Sequence, residues 1–164
     1  MEPLTEQEIR AAFVNCTKGE AKRLNIPRDL ALQPWEDLDY LGWRDPQAPD
    51  RAYLVVELEG RPRALAMRSS TAGSWQARRS MCSMCLTTHS GGVSLMVAPK
   101  AGKAGQQGNS VGAYMCSDLA CSLYVRGKRD AGIGARLHET VTLEEKIERT
   151  VANVAAFVAN VTTA

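Results

Sequence analysis

Aromatic residues are scarce in this chain, with two Phe, three Trp and four Tyr among 164 residues. A core with so few rings must lean on Val, Leu, Ile, Ala and Met, so a bound metal would help to secure regions that bury too little by themselves. The only histidines are His89 and His138. No window holds the run of about 18 apolar residues that a membrane span requires. The opening Met1-Glu2-Pro3-Leu4-Thr5-Glu6 is acidic and lacks the apolar stretch of a secretory signal. That absence points to a cytoplasmic chain whose thiols stay reduced. No internal repeat is present. The loop Lys100 to Gly108 has the look of a phosphate loop but lacks the GxxxxGK[ST] spacing, so it gives no support for nucleotide binding.

What the chain does have is a pattern of cysteine. Four of its five cysteines form two close pairs, Cys82/Cys85 and Cys116/Cys121, with 30 residues between the pairs. Thiolates are soft ligands, Zn²⁺ takes four, and each pair can deliver two from one tight turn. Two disulfides would use the same residues in an oxidising compartment, and a single CxxC would suit a thioredoxin-like site with the second pair idle. A structural Zn²⁺ held by Cys82, Cys85, Cys116 and Cys121 uses all four. Four sulfurs also close the coordination sphere, leaving no position for an activated water. Cys16 stands apart, on the apolar face of a predicted helix, and reads as a small buried hydrophobe.

Charge is unevenly placed. The net charge is +2, but residues 1–60 carry 7 Lys/Arg against 12 Asp/Glu, while residues 61–136 carry 11 against 2. The basic excess therefore sits on the cysteine region and favours an acidic protein face or a phosphate backbone.

Thr5 with Glu8, and Thr142 with Glu145, read as capping boxes at helix starts. The first helix presents Ile9, Ala12, Phe13 and Cys16, with Gly19 as its stop. The second, longer helix presents Leu143, Ile147, Val151, Val154, Val158 and Val161 as a core-facing stripe. Between them, Pro27–Pro34 reads as a connector, and Trp35–Trp43 as an aromatic and acidic loop anchored on the core. Arg51–Leu58 and Arg63–Met67 read as a hairpin turning at Glu59-Gly60. Val93–Val97 and Val111–Met115 read as a second pair of strands around a flexible loop at Pro99–Asn109, and Asp118–Val125 as a helix containing Cys121. The predicted class is α+β, a small antiparallel sheet with flanking N- and C-terminal helices. Residues 1–75 would form a helix and hairpin part and residues 76–164 the zinc part, within one domain.

Knuckle, hairpin, return strand and a second cysteine pair entering a helix is the order of a treble-clef zinc finger. Within it, Arg79–Met96 (RSMCSMCLTTHSGGVSLM) and Gly108–Arg126 (GNSVGAYMCSDLACSLYVR) closely resemble the C-terminal treble-clef domain of elongation factor G-binding proteins of the FusB type. The resemblance implies a zinc-stabilised protein that docks on the translocase elongation factor G at or near the ribosome. It makes the four paired cysteines the metal ligands and Tyr114 an aromatic facing the partner. Lys100 and Lys103 at the hairpin tip, with Met84 and Arg126 inside the motifs, complete the candidate partner contacts. The resistance proteins carry a helical bundle ahead of this domain, whereas one clear helix precedes the strands here. The resemblance thus implies factor binding without implying drug resistance.

Two other functions compete. A basic finger can bind RNA directly, ribosomal RNA included, but only Tyr114 and Tyr124 lie near the cysteines, with Trp75 upstream, which is little for base stacking. Tyr114 reads equally as a strand-packing residue, and the two lysines equally as a solvated loop. An enzyme would need a nucleophile and a base. Metal-bound Cys85 cannot serve as one, no paired carboxylates flank His89, and that histidine reads as a residue that orients the knuckle. The chain is therefore expected not to be an enzyme.

Overall fold

A computed structural model describes residues 1–70, 79–90, 92–132 and 139–163. Trp75, His138 and the expected boundary near residue 75 lie outside them. The described strands are β1 (Tyr40–Arg44), β2 (Arg51–Leu58), β3 (Arg61–Ser70), β4 (Arg79–Met81), β5 (Thr88–Ser90), β6 (Val93–Pro99) and β7 (Ser110–Cys116). Five of them form one antiparallel sheet in the order β1-β2-β3-β6-β7, and β4 pairs with β5 separately. The helices are α1 (Glu6–Ala12), α2 (Lys18–Arg23), α3 (Gly102–Gln106), α4 (Cys121–Val125) and α5 (Leu143–Thr162).

Each of the three longer-range helix starts is written locally. Thr5, Thr17 and Thr142 each accept a hydrogen bond from the backbone N–H three residues on, and the glutamate there reaches back to the threonine's own N–H. Two orphan amides are satisfied at each start. Gly19 therefore does not stop α1. That helix ends at Ala12, where Phe13 turns extended and bridges to Ala64, and Gly19 lies inside α2. The aromatic and acidic segment is anchored as expected, since Trp35, Tyr40 and Trp43 are buried. Part of it is nevertheless an edge strand, β1, in register with β2 from Tyr40↔Val56 to Arg44↔Ala52.

The sheet separates two apolar cores. One face of β1–β3 (Leu41, Trp43, Tyr53, Val55, Ala64) is covered by Ile9, Ala12, Ala21, Leu24 and Trp35 from the N-terminal segments. The opposite face (Tyr40, Leu54, Val56, Leu65, Met67, Met96, Met115) packs against α5 through Val154, Phe157, Val158 and Val161, and this core includes all four paired cysteines. Strand alternation explains how one β-strand serves both: Ala52, Leu54 and Val56 point one way, Tyr53 and Val55 the other. The predicted α5 stripe holds over its second half. Leu143 is exposed and Ile147 half-buried, while Thr150 and Phe157 are buried in their stead. The expected flexible loop after β6 instead winds into α3, and its start is tied to α5 by Ala101 N–H donating to the Val161 carbonyl.

Candidate metal centre

The first pair of cysteines sits in a knuckle between β4 and β5. Cys82 N–H donates to the Thr87 carbonyl and Leu86 N–H to the Cys82 carbonyl, both at 2.9 Å, while Met84 N–H points at Cys82 Sγ at 3.4 Å. Leu86 closes the turn in the left-handed region at φ 58°. The second pair repeats the device. Leu119 N–H donates to the Cys116 carbonyl at 2.8 Å, and Leu119 also takes φ 58°. Non-glycine residues adopt that region uncommonly, and here a tight turn aims two sulfurs inward each time. Cys116 is the last residue of β7 and Cys121 the first of α4. The predicted helix from Asp118 is thus shorter than expected, and Asp118–Ala120 form the turn instead. Asp118 Oδ1 accepts from Ala120 N–H there at 3.0 Å.

These turns bring the four sulfurs within 4.8 Å of one another, all buried. Cys82 Sγ lies 3.6 Å from Cys121 Sγ, and Cys85 Sγ lies 3.6 Å from Cys116 Sγ. A disulfide needs about 2.05 Å, so these are free thiols arranged for something else. A tetrahedral zinc with Zn–S bonds of about 2.3 Å sets its sulfurs about 3.8 Å apart. The geometry fits zinc. Without a cation the crowding splits the thiols. Hydrogen bonds from the Cys116 and Cys121 thiols hold Cys82 far below its ordinary range, and contacts with Cys121, Cys82 and Cys85 push Cys116 far above it. A divalent ion lets all four ionise together.

The model of the FBP C-terminal treble-clef zinc-finger family matches residues 8–161. The chain belongs to that family. Neither a curated protein nor a solved structure matches it. The match runs from α1 to the end of α5, so family membership covers the N-terminal layer as well as the FusB-type finger. Zinc is accordingly the structural ion of this domain, and Cys82, Cys85, Cys116 and Cys121 are buried and close enough together to hold it.

The loop after Cys116 fastens this centre to the far edge of the sheet. Gly42 in β1 lies so close to Leu119 that a Cβ there would come within 2.4 Å of the Leu119 Cβ. Arg44 Nε donates to the Ser117 carbonyl, and Asp39 N–H to Ser122 Oγ at 3.0 Å. Arg126 forms a two-pronged pair with Asp39, at 2.7 and 2.8 Å. Lys128 pairs with Asp37 at 2.6 Å. The Tyr40 hydroxyl lies beside the cysteine cluster. Burial and the Cys121 sulfur beside it push its pKa well up, and it has no hydrogen-bond partner among the described residues.

The predicted partner contacts divide. Tyr114 on β7 is 55% exposed, and Lys103 on α3 is exposed. Lys100 is half-buried, its Nζ donating to the Thr163 carbonyl at 3.2 Å. Met84 is only 4% exposed and packs in the zinc core, and Arg126 is spent on Asp39, so neither offers its side chain to a partner. Tyr124 is likewise engaged, donating to Asp118 Oδ2 at 2.7 Å. Sequence reasoning placed His89 by the knuckle. The structure places it on β5, buried, with Nε2 3.2 Å from Cys116 Sγ of the other pair. No spacing signal announces a contact across 27 residues.

Proposed function

We propose that this protein is a zinc-stabilised binding module for elongation factor G, docking through the outer end of β7. The observation that carries the reading is Tyr114. It is more than half exposed although it lies two residues before a buried ligand, and its carbonyl accepts from the knuckle's Ser83 N–H at 2.7 Å. An aromatic held by backbone on both sides loses little freedom on binding, which is the property of an interface anchor. Leu95 opposite it and Val97 along β6 are half-buried and belong to neither core. They extend an apolar strip beside Tyr114, and Lys103 supplies a charge that steers encounter with an acidic face.

Direct RNA binding is less well supported. With Tyr124 tied to Asp118, Tyr114 is the exposed tyrosine near the metal, a narrow base for stacking. Titration of purified elongation factor G and of ribosomal RNA fragments across a salt series separates the readings. Factor binding that survives moderate salt and is lost in Tyr114→Ala supports the first. RNA binding with a steep salt slope, unaffected by Tyr114→Ala and unaccompanied by factor binding, overturns it.

A further inference from the structure

The four-sulfur site lies inside the principal core, where four thiolates around one dication would carry a net charge of about −2. Charge in such surroundings is costly unless N–H or O–H donors share it. In the knuckle, backbone supplies one donor, Met84 N–H to Cys82 Sγ. For the second pair two side-chain groups are near, the Tyr40 hydroxyl beside Cys121 and His89 Nε2 at 3.2 Å from Cys116 Sγ, and only the second lies against the Cys116 sulfur. A metal-bound thiolate carries no proton and can only accept, so in the loaded protein the ring hydrogen must sit on Nε2.

The imidazole is gripped on its other sides. Tyr124 meets it edge to face, with ring centroids 4.6 Å apart and planes at 87°. Tyr124 is fixed in turn by Asp118, which belongs to the loop between the third and fourth ligands. Gly92 leaves the ring its space, since a Cβ there would stand 2.7 Å from His89 Nδ1. A buried imidazole held this firmly, with one nitrogen on a ligand sulfur, is more than core filling.

We propose that His89 is a positioning residue of the zinc site, its Nε2–H donating to the Cys116 thiolate, fixing that sulfur and slowing metal loss. Outer-shell donors of this kind are worth about 10–100-fold in metal affinity. The test compares His89→Phe, which keeps a ring against Tyr124 but has no donor, with His89→Gln, which restores an N–H at similar reach. Zinc transfer to a chromogenic chelator is followed, together with the sulfur-to-metal charge-transfer band of the Co²⁺-loaded proteins. The expected result is release about 10-fold or more faster in His89→Phe, with the band moved to longer wavelength, and both restored towards wild type in His89→Gln.

Release within about twofold of wild type and an unmoved band in His89→Phe would overturn the proposal, and so would a His89→Gln protein no better than His89→Phe. Should the phenylalanine variant fail to fold, the wild type loaded with ¹¹³Cd decides. A scalar coupling between the His89 Nε2–H proton and the metal is expected, and a ring protonated on Nδ1 alone refutes the donor role. A wild type that binds no metal would sink the zinc site itself, whereas a loaded wild type with an indifferent His89→Phe sinks only this step.

Discussion

Gly42→Ala is the most exacting test of how the zinc loop is fastened to the sheet. The added methyl would lie 2.4 Å from the Leu119 Cβ, 3.1 Å from the Leu119 carbonyl oxygen and 3.1 Å from the Tyr40 ring. Carbon atoms in ordinary contact stand about 3.5–4.0 Å apart, so more than an ångström must be found by moving something. Neither side yields easily. β1 is paired with β2 along its whole length, and Leu119 is buried in a left-handed turn between two ligands. Overpacking costs about 1–3 kcal/mol, and with backbone on both sides the upper end, about 3 kcal/mol, is expected. At about 2–4 °C per kcal/mol for a domain of this size, zinc-saturated Gly42→Ala should melt about 6–12 °C below wild type. Gly112→Ala is the matched control. Its methyl comes closest to the end of the Leu95 side chain, at 3.3 Å, and otherwise meets atoms at an ordinary 3.8 Å, so it should shift melting by no more than about 2 °C. A Gly42→Ala protein melting with the control would refute the packing argument.

Four further outcomes follow from other parts of the molecule. Chelation, or serine at any one of the four ligands, should abolish cooperative melting, because zinc binding worth about 10–16 kcal/mol rivals the whole stability of about 5–15 kcal/mol; circular dichroism with and without metal measures it. Tyr114→Ala should leave the melt within about 2 °C of wild type while weakening elongation factor G binding about 30-fold, read by calorimetry. Arg126→Met strands the Asp39 carboxylate, whose side chain is 9% exposed, and should cost about 3 kcal/mol in denaturant unfolding. Burial pushes the Asp45 carboxyl up, but hydrogen bonds from Asn25 and from the Gln47 and Ala48 amides outweigh it and hold the pKa below the ordinary value. Its contribution is therefore full above the unfolded pKa of about 3.9 and is lost as pH falls through the lower folded value, so Asp45→Asn should be destabilised at pH 7 and converge on wild type in acid.

The cysteine cluster was legible because its chemistry is written as spacing: two close pairs suffice to point to four sulfurs converging on one site and to zinc. The capping boxes at Thr5 and Thr142 were legible for the same reason, being short-range. The box at Thr17 carries the same signal, but Gly19 masks it, since glycine in a short helix reads as a break until the cap and packing outweigh it. β1 was missed because its mixture of acids and rings has no clean alternation. One of its faces is covered by the N-terminal helices and the other by a loop about 75 residues further on, which only the folded chain brings near. Met84 and Arg126, named as partner contacts, turn out to be inward-facing and engaged for a related reason. A motif names residues that matter but does not say whether they face outward, and here one fills the core and the other anchors Asp39. The stripe of α5 went astray at its first turns, where the helix runs past the core and Leu143 meets solvent.

The seam between β1 and the loop Ser117–Lys128 has a bearing on how the protein behaves when metal is short. An edge strand such as Tyr-Leu-Gly-Trp-Arg is a template for pairing with other chains, and the loop that lies against its Gly42 face and holds Arg44 and Asp39 takes its shape from the turn between two of the clustered cysteines. Metal starvation would thus uncover a sticky border as well as loosen the interior, and the first visible symptom should be clumping of newly made chains.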